Sequence, residues 1–131
     1  MEGTDIEVDG LTPEQVRTLT EIGMMAAGHG YTAEATAIFE SLRVLRPNRP
    51  FAYVGLAVTS MNSGKPDEAV RVLESEGLAA CPGDGDIRAF LGLALTLSQR
   101  SAEARRVLEA LLAEQPEAES ARMARALLSG Q

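Results

Sequence analysis

The fold of this chain is decided by residues 19–47, which read LTEIGMMAAGHGYTAEATAIFESLRVLRP. Gly23 precedes Ala35 by twelve residues, and Phe39 follows Ala35 after four more. Small and apolar residues at this spacing predict two helices, and the glycines at residues 28–30 predict a turn between them. A glycine inside a helix costs about 1 kcal/mol relative to alanine, so Gly23 indicates close approach of the second helix.

The same arrangement recurs at residues 53–82 and 88–116. In both units a small residue again precedes an alanine by twelve residues, and an apolar residue follows that alanine by four. The second unit holds one extra residue, near Gly77, so we expect its second helix to end early or to bulge. The recurring positions are Gly23, Ala57 and Gly92, then Ala35, Ala69 and Ala104, then Phe39, Leu73 and Leu108, and finally Pro47, Pro82 and Pro116.

Three units in register resemble the tetratricopeptide repeat family over about residues 15–118. Arg88 departs from the pattern, because it occupies the position that the family gives to tryptophan. The resemblance implies an all-α fold, a right-handed α-solenoid of three helix pairs and a C-terminal capping helix. We place helices near residues 12–28, 32–46, 49–63, 66–80, 85–98, 101–114 and 117–128. The expected organisation is a disordered acidic tail at 1–10 and a single domain at 11–131, with repeats at about 15–48, 49–83 and 84–117 and the capping helix at 117–129.

Residues typical of helix N-termini support these boundaries. The segment 11–16 predicts a capping box, with the side chain of Thr12 as the cap and that of Gln15 reaching back. Thr32 and Ser101 are expected to cap the second helices of their pairs, and Asp84 is expected to cap the helix that follows it.

Composition restricts the class of partner and the compartment. The formal net charge is −7 and the pI is about 4.7, which argues against nucleic acid or an anionic membrane as the partner. No apolar run is long enough to span a membrane, the N-terminus does not resemble a signal peptide, and the single cysteine suits a reducing compartment. These features predict a cytoplasmic location and no membrane insertion.

The chain is poorly supplied with catalytic chemistry. His29 is its only histidine and has no evident nucleophile or orienting acid, and Cys81 is its only cysteine. Asp84 and Asp86 lack the twelve-residue ligand pattern of a calcium loop. We therefore predict no enzyme activity, no cofactor and no metal site, with His29 structural or exposed and Cys81 a buried, inert thiol.

The resemblance implies that the first helices of the pairs line a concave groove. Its centre would be apolar, which fits a protein partner or a peptide segment, extended or helical, with spaced apolar anchors. The alternative is that these side chains are core, covered by a neighbouring helix or by a second copy of the chain. The implied inward residues are Arg17, Thr20, Met24, Ala27, Phe51, Val54, Val58, Met61, Asp86, Ala89, Leu93 and Thr96.

Two further features concern how a partner would bind. Some tetratricopeptide proteins grip acidic tails through lysine and asparagine on their first helices, but uncharged residues such as Thr20 and Met24 stand there in this chain. Such a clamp is therefore not expected. A basic cluster of Arg43, Arg46 and Arg49 closes the first unit and could contact acids on a partner or remain solvated.

The short acidic chain and its leading Leu-Thr-Pro-Glu-Gln segment are similar to the small class II translocator chaperones of bacterial type III secretion. That resemblance implies a chaperone that holds a secreted protein through its apolar groove. It also implies possible dimerisation through the first helix, at Ile22 and Met25. The alternative function is a general scaffold or assembly adaptor, which covered groove residues would favour.

Overall fold

The computed structural model describes residues 10–130, and the proposed tail at 1–10 lies outside this range apart from Gly10. Within the described part the chain forms seven helices and no strand. The helices are α1 Pro13–Gly28, α2 Thr32–Leu45, α3 Pro50–Asn62, α4 at residues 66–80, α5 Gly85–Leu97, α6 Ser101–Glu114 and α7 Glu119–Ser129.

The helices pack as three pairs, α1 with α2, α3 with α4, and α5 with α6. Each first helix also contacts the first helix of the next pair, so that α1, α3 and α5 form a continuous inner row. The final helix α7 packs against both α5 and α6 and covers the third pair. The predicted all-α solenoid with a terminal capping helix is confirmed.

The recurring small and large residues meet as their spacing predicts. Phe39, Leu73 and Leu108 are each completely buried. A Cβ atom added at Gly23 would lie 2.7 Å from the ring of Phe39, and one added at Gly92 would overlap the side chain of Leu108. Gly23 and Gly92 therefore allow Phe39 and Leu108 to approach the backbones of α1 and α5.

The first helix begins with the predicted capping box, in which the Thr12 hydroxyl accepts from the Gln15 backbone N–H at 3.0 Å. The Asp84 carboxylate likewise accepts from the Ile87 N–H at 2.9 Å. The caps predicted at Thr32 and Ser101 are wrong, because each is already the first residue of its helix and the preceding residue makes no side-chain cap bond.

The turns inside the pairs explain those missing caps. Gly30, Gly64 and Gln99 occupy equivalent places and all have positive φ, of 81°, 82° and 65°. The chain therefore enters each second helix from a left-handed residue followed by one connecting residue, and this geometry leaves no side chain in the capping position. Glycine adopts such a φ freely, whereas Gln99 does so at a steric cost.

The extra residue of the second unit forms a bulge in α4. This helix runs as α-helix over Pro66–Arg71, as π-helix over Val72–Gly77, and as a last α-turn over Leu78–Ala80. Val72, Leu73 and Gly77 remain buried through the wider turn. Of the two expected outcomes, a bulge or an early end, the structure shows the bulge.

Candidate protein-binding surface

Of the twelve inward residues expected from the sequence, Ala27 is buried, Arg17 and Asp86 are exposed, and Thr96 is half-buried. The remaining eight are those predicted to contact a partner, and they divide into two groups: Thr20, Met24, Phe51, Val54, Val58, Met61, Ala89 and Leu93. Val54 is only 6% exposed and Ala89 only 1%, because α5 covers the first and the α6–α7 layer covers the second. These two side chains belong to the core, and their assignment to a binding surface is corrected. The other six are half-buried on α1, α3 and α5, and we call them the inner face: Thr20, Met24, Phe51, Val58, Met61 and Leu93.

Most inner-face side chains pack against buried residues of the core. Met24 packs against the buried clusters of both the first and the second pair, so it bridges α1 and α3. Val58 and Met61 pack on the cluster between the second and third pairs, and Phe51 packs on the first. At the far end of these helices the Asn62 amide donates to the Ala27 carbonyl at 3.1 Å and ties α3 to α1. The side chains thus present their remaining apolar surface from fixed positions.

A pocket of about 390 Å³ opens where α1 meets the start of α3. It combines an apolar floor, from Val16 and Phe51, with three arginine side chains. The Thr20 hydroxyl, also in its lining, donates to the Val16 carbonyl at 2.8 Å. We call it the α1–α3 pocket, and its lining is Pro13, Val16, Arg17, Thr20, Arg46, Arg49 and Phe51.

The basic cluster proposed from the sequence is split by the fold. Arg46 and Arg49 line the α1–α3 pocket together with Arg17. Arg43 instead faces the other side of α2, where its guanidinium contacts the Glu40 carboxylate at 2.6 Å and the pKa of Arg43 is raised by that hydrogen bond. The separation follows from the end of α2 at Leu45, since Arg46 has already left the helix.

The other end of the inner row is acidic. Asp86 is the second residue of α5, two places after the capping residue Asp84, and Glu119 begins α7. Partial burial, and then the neighbouring carboxylates of Asp84 and Glu119, raise the pKa of Asp86. The row of first helices therefore runs from arginine at α1 to carboxylate at α5.

A second pocket, also of about 390 Å³, was not anticipated from the sequence. It lies between α2, α3 and α4, beside the π-helical turn, and its rim is formed by ion pairs. Arg71 contacts Glu76 at 2.9 Å there and also pairs with Glu68. The extra residue near Gly77 was the only sequence signal at this place.

The residues considered for catalysis have structural surroundings. His29 is exposed directly after the end of α1 and stacks on Tyr31 with ring centroids 6.1 Å apart. The Cys81 thiol is half-buried and donates to the Asn48 carbonyl at 3.4 Å, and partial burial raises the pKa of Cys81, which disfavours the reactive thiolate. Within residues 10–130 no three His, Cys, Asp or Glu side chains cluster as metal ligands.

Several large apolar side chains are exposed away from the inner face. On α1 these are Ile22 and Met25, at 47% and 63%, which are the residues proposed for self-association. Val44, on α2 and thus outside the row of first helices, is 71% exposed. None of the helices described is long and apolar enough to cross a lipid bilayer.

Comparisons with known proteins agree with this architecture. The family model described as bacterial type III secretion protein (HrpB1_HrpK) matches residues 7–131. No curated protein sequence matches the chain significantly. Neither the family description nor the structures below name an enzyme, in agreement with the sequence prediction.

Among solved structures, the chain is similar to the Yersinia enterocolitica type III secretion translocator chaperone SycD. The TM-score is 0.72 at 21% identity, covering 90% of this chain and 91% of SycD. An alternative dimer of SycD gives a TM-score of 0.67 at 20% identity, covering 91% and 96%. The first tetratricopeptide domain of Spaghetti (RPAP3), bound to the HSP90 peptide SRMEEVD, gives 0.68 at 17% identity, covering 98% of both chains. These likenesses confirm the tetratricopeptide fold.

Proposed function

The chain belongs to the HrpB1_HrpK family of bacterial type III secretion proteins, and from this premise we propose that it is a protein-binding chaperone. In this proposal it holds a type III secretion substrate or component through the inner face of α1, α3 and α5. The observation that carries the proposal is the inner face itself, where apolar side chains on the first helices of all three pairs keep part of their surface exposed.

Physical chemistry supports this use of the inner face. Apolar surface left on a folded domain gains free energy when a partner covers it, and two of the six side chains are methionines, Met24 and Met61, which adapt to varied partner shapes. Their anchoring in the core reduces the conformational entropy that binding would remove. SycD, which shares the fold, is described as a translocator chaperone, and the same role is proposed here for this chain.

An assembly adaptor is the second candidate, and one specific observation favours it. Val54 and Ala89 are covered by neighbouring helices, so the inner face is narrower than the sequence suggested. The exposed Val44 lies on α2, outside the row of first helices that carries the inner face. In an adaptor such outer residues would contact folded components of the secretion apparatus.

The test is retention of secretion proteins from the native bacterium's lysate by matched variants. Val58→Asp places a charge on the inner face, and Val44→Asp makes the same change on α2. The chaperone proposal expects Val58→Asp to lose a secreted protein with apolar segments and Val44→Asp to keep it, with both variants retaining wild-type helicity. Loss only in Val44→Asp would support the adaptor, and loss of helicity in Val58→Asp would show that Val58 is core.

The location of the protein in the cell distinguishes the chaperone from the adaptor, and its self-association can be tested separately. A chaperone that holds a substrate before export would be cytoplasmic, so cell fractionation should recover it there. Recovery with the cell envelope would favour the adaptor. If α1 mediates a homodimer, replacing Ile22 and Met25 with serine should shift the mass measured by light scattering from dimer to monomer.

A further inference from the structure

We propose that the α1–α3 pocket receives an acidic side chain of an extended partner segment, and that the carboxylates at α5 bind a basic side chain further along the same segment. The inner face would thus select partners by the order of their charges, acid at α1 and base at α5, with apolar residues between them. The inference rests on the proposed function, because the segment belongs to the protein that the chain holds.

The arginines of the pocket form a concentrated anion site in an acidic protein. Within residues 10–130, the guanidinium groups of Arg17 and Arg49 have no hydrogen bond or ion pair. Arg49 lies near enough to Cys81 for its charge to oppose the rise in the pKa of that thiol. Arg46 donates to the carbonyls of Leu45 and Leu11, at 3.0 and 3.3 Å. Each guanidinium has five N–H donors in a fork that fits a carboxylate.

The floor of the pocket indicates which kind of anion fits. Phe51 and Val16 are apolar, so a carboxylate that enters beside an apolar residue would lose water while it meets the arginines. Partial removal of water strengthens charge-assisted hydrogen bonds. An acidic residue followed by an apolar one fits this lining better than a small free anion does.

The repeat register gives the direction. Arg17, Phe51 and Asp86 occupy equivalent positions, 34 and 35 residues apart, and the first two line one pocket. Because α3 also packs against α5, Asp86 continues the same row. Neighbouring helices lie about 8–10 Å apart, so Arg17 and Asp86 are separated by roughly 20 Å. An extended chain covers that distance in about six residues.

This arrangement differs from a clamp built on lysine and asparagine of the first helices. Two of the three arginines, Arg46 and Arg49, come from the loop that joins α2 to α3. The second unit does not repeat these arginines, because Cys81 and Asp84 stand at the corresponding places.

The experiment measures coupling between one protein charge and one peptide charge by NMR titration of the full chain. The probes are acetyl-DLALALK-amide and two neutralised peptides, NLALALK and DLALALQ. Arg49→Gln should weaken binding of DLALALK about tenfold, equivalent to about 1.4 kcal/mol, and should leave NLALALK unchanged. Asp86→Asn should weaken DLALALK and leave DLALALQ unchanged. Arg106→Gln on α6, an exposed arginine away from the inner face, is the matched control.

Several results would overturn the inference. They are equal weakening of all peptides by Arg49→Gln, no weakening, or no binding of any probe at about 5 mM. Binding that tightens more than tenfold when the acids of residues 1–9 are neutralised would make this chain's own N-terminal segment the occupant instead. The proposed function is tested separately: if Arg49→Gln keeps the native partner while Val58→Asp loses it, only the charge-order inference fails.

Discussion

The contact between Gly55 and Phe39 supplies the sharpest test of the packing argument. Phe39 is completely buried, and its ring is enclosed between Gly23 of α1 and Gly55 of α3. A Cβ atom at Gly55 would overlap three carbons of the ring, and the ring cannot retreat towards α1 because Gly23 closes that side. We therefore predict that Gly55→Ala destabilises the protein despite the better helix propensity of alanine.

The magnitude follows from two opposed effects. Alanine in place of a helical glycine stabilises by about 1 kcal/mol, whereas overpacking a tight core costs about 1–3 kcal/mol. Because Phe39 is confined on both sides, the upper value applies, and the expected net loss is about 2 kcal/mol. For a chain of this length such a loss lowers Tm by roughly 6–10 °C.

Urea denaturation followed by circular dichroism would measure the free energy of unfolding of each variant. Gly28→Ala is the matched control, since a Cβ there meets nothing within 4 Å and should leave stability equal or slightly higher. Phe39→Leu should relieve the overlap, so that the double variant is more stable than the sum of the single effects by about 1 kcal/mol or more. A Gly55→Ala protein as stable as the wild type, or no coupling to Phe39→Leu, would refute the reasoning.

Two further predictions concern stability. Gln99→Gly should raise the free energy of unfolding by about 1 kcal/mol, because φ at this turn is positive and only glycine adopts it without steric cost, whereas the same measurement on Gly30→Gln should show a loss. Asp86→Asn should stabilise the protein at pH 7, because the raised pKa of Asp86 means that ionisation is less favourable in the folded state than in the unfolded chain. The free energy of unfolding of the wild type should therefore fall relative to that of Asp86→Asn as the pH rises through the raised native pKa. The two values should converge as the pH is lowered below 3.8, the ordinary pKa. A difference between the two proteins that does not change with pH would contradict this assignment.

Much of the fold could be predicted because the same pattern of small and apolar residues occurs in all three repeats. The spacing of Ala35, Ala69 and Ala104 relative to their neighbours placed the helices close to their observed bounds. Helix starts that depend on a turn were harder to predict. The residues before Thr32 and Ser101 take a conformation that a capping motif alone does not reveal.

The site was less predictable because burial depends on neighbouring helices. Val54 and Val58 are the same residue type one helical turn apart, and both pack against the third pair, yet Val54 is buried and Val58 only half-buried. Arg43 and Arg46 are three residues apart, and the end of α2 between them sends their side chains to opposite surfaces. Arg17 and Phe51 stand at the same position of successive repeats, and this was the sequence signal for the α1–α3 pocket. The pocket itself could not be predicted, because it exists only where α1 and α3 lie side by side.

The π-helical turn of α4 has a consequence for how such chains can change in length. In an ordinary helix one added residue rotates everything beyond it by about 100°, which would turn the following unit away from its neighbours. Here the added residue is absorbed within Val72–Gly77, and α5 still packs against α3. An added residue of this kind therefore changes the helix locally and leaves the packing of the following unit in place. The helix pairs are therefore repeated regularly in space, although the repeat length in the sequence changes from 34 to 35 residues. An alignment of the chain with itself at a fixed period of 34 would miss the third unit.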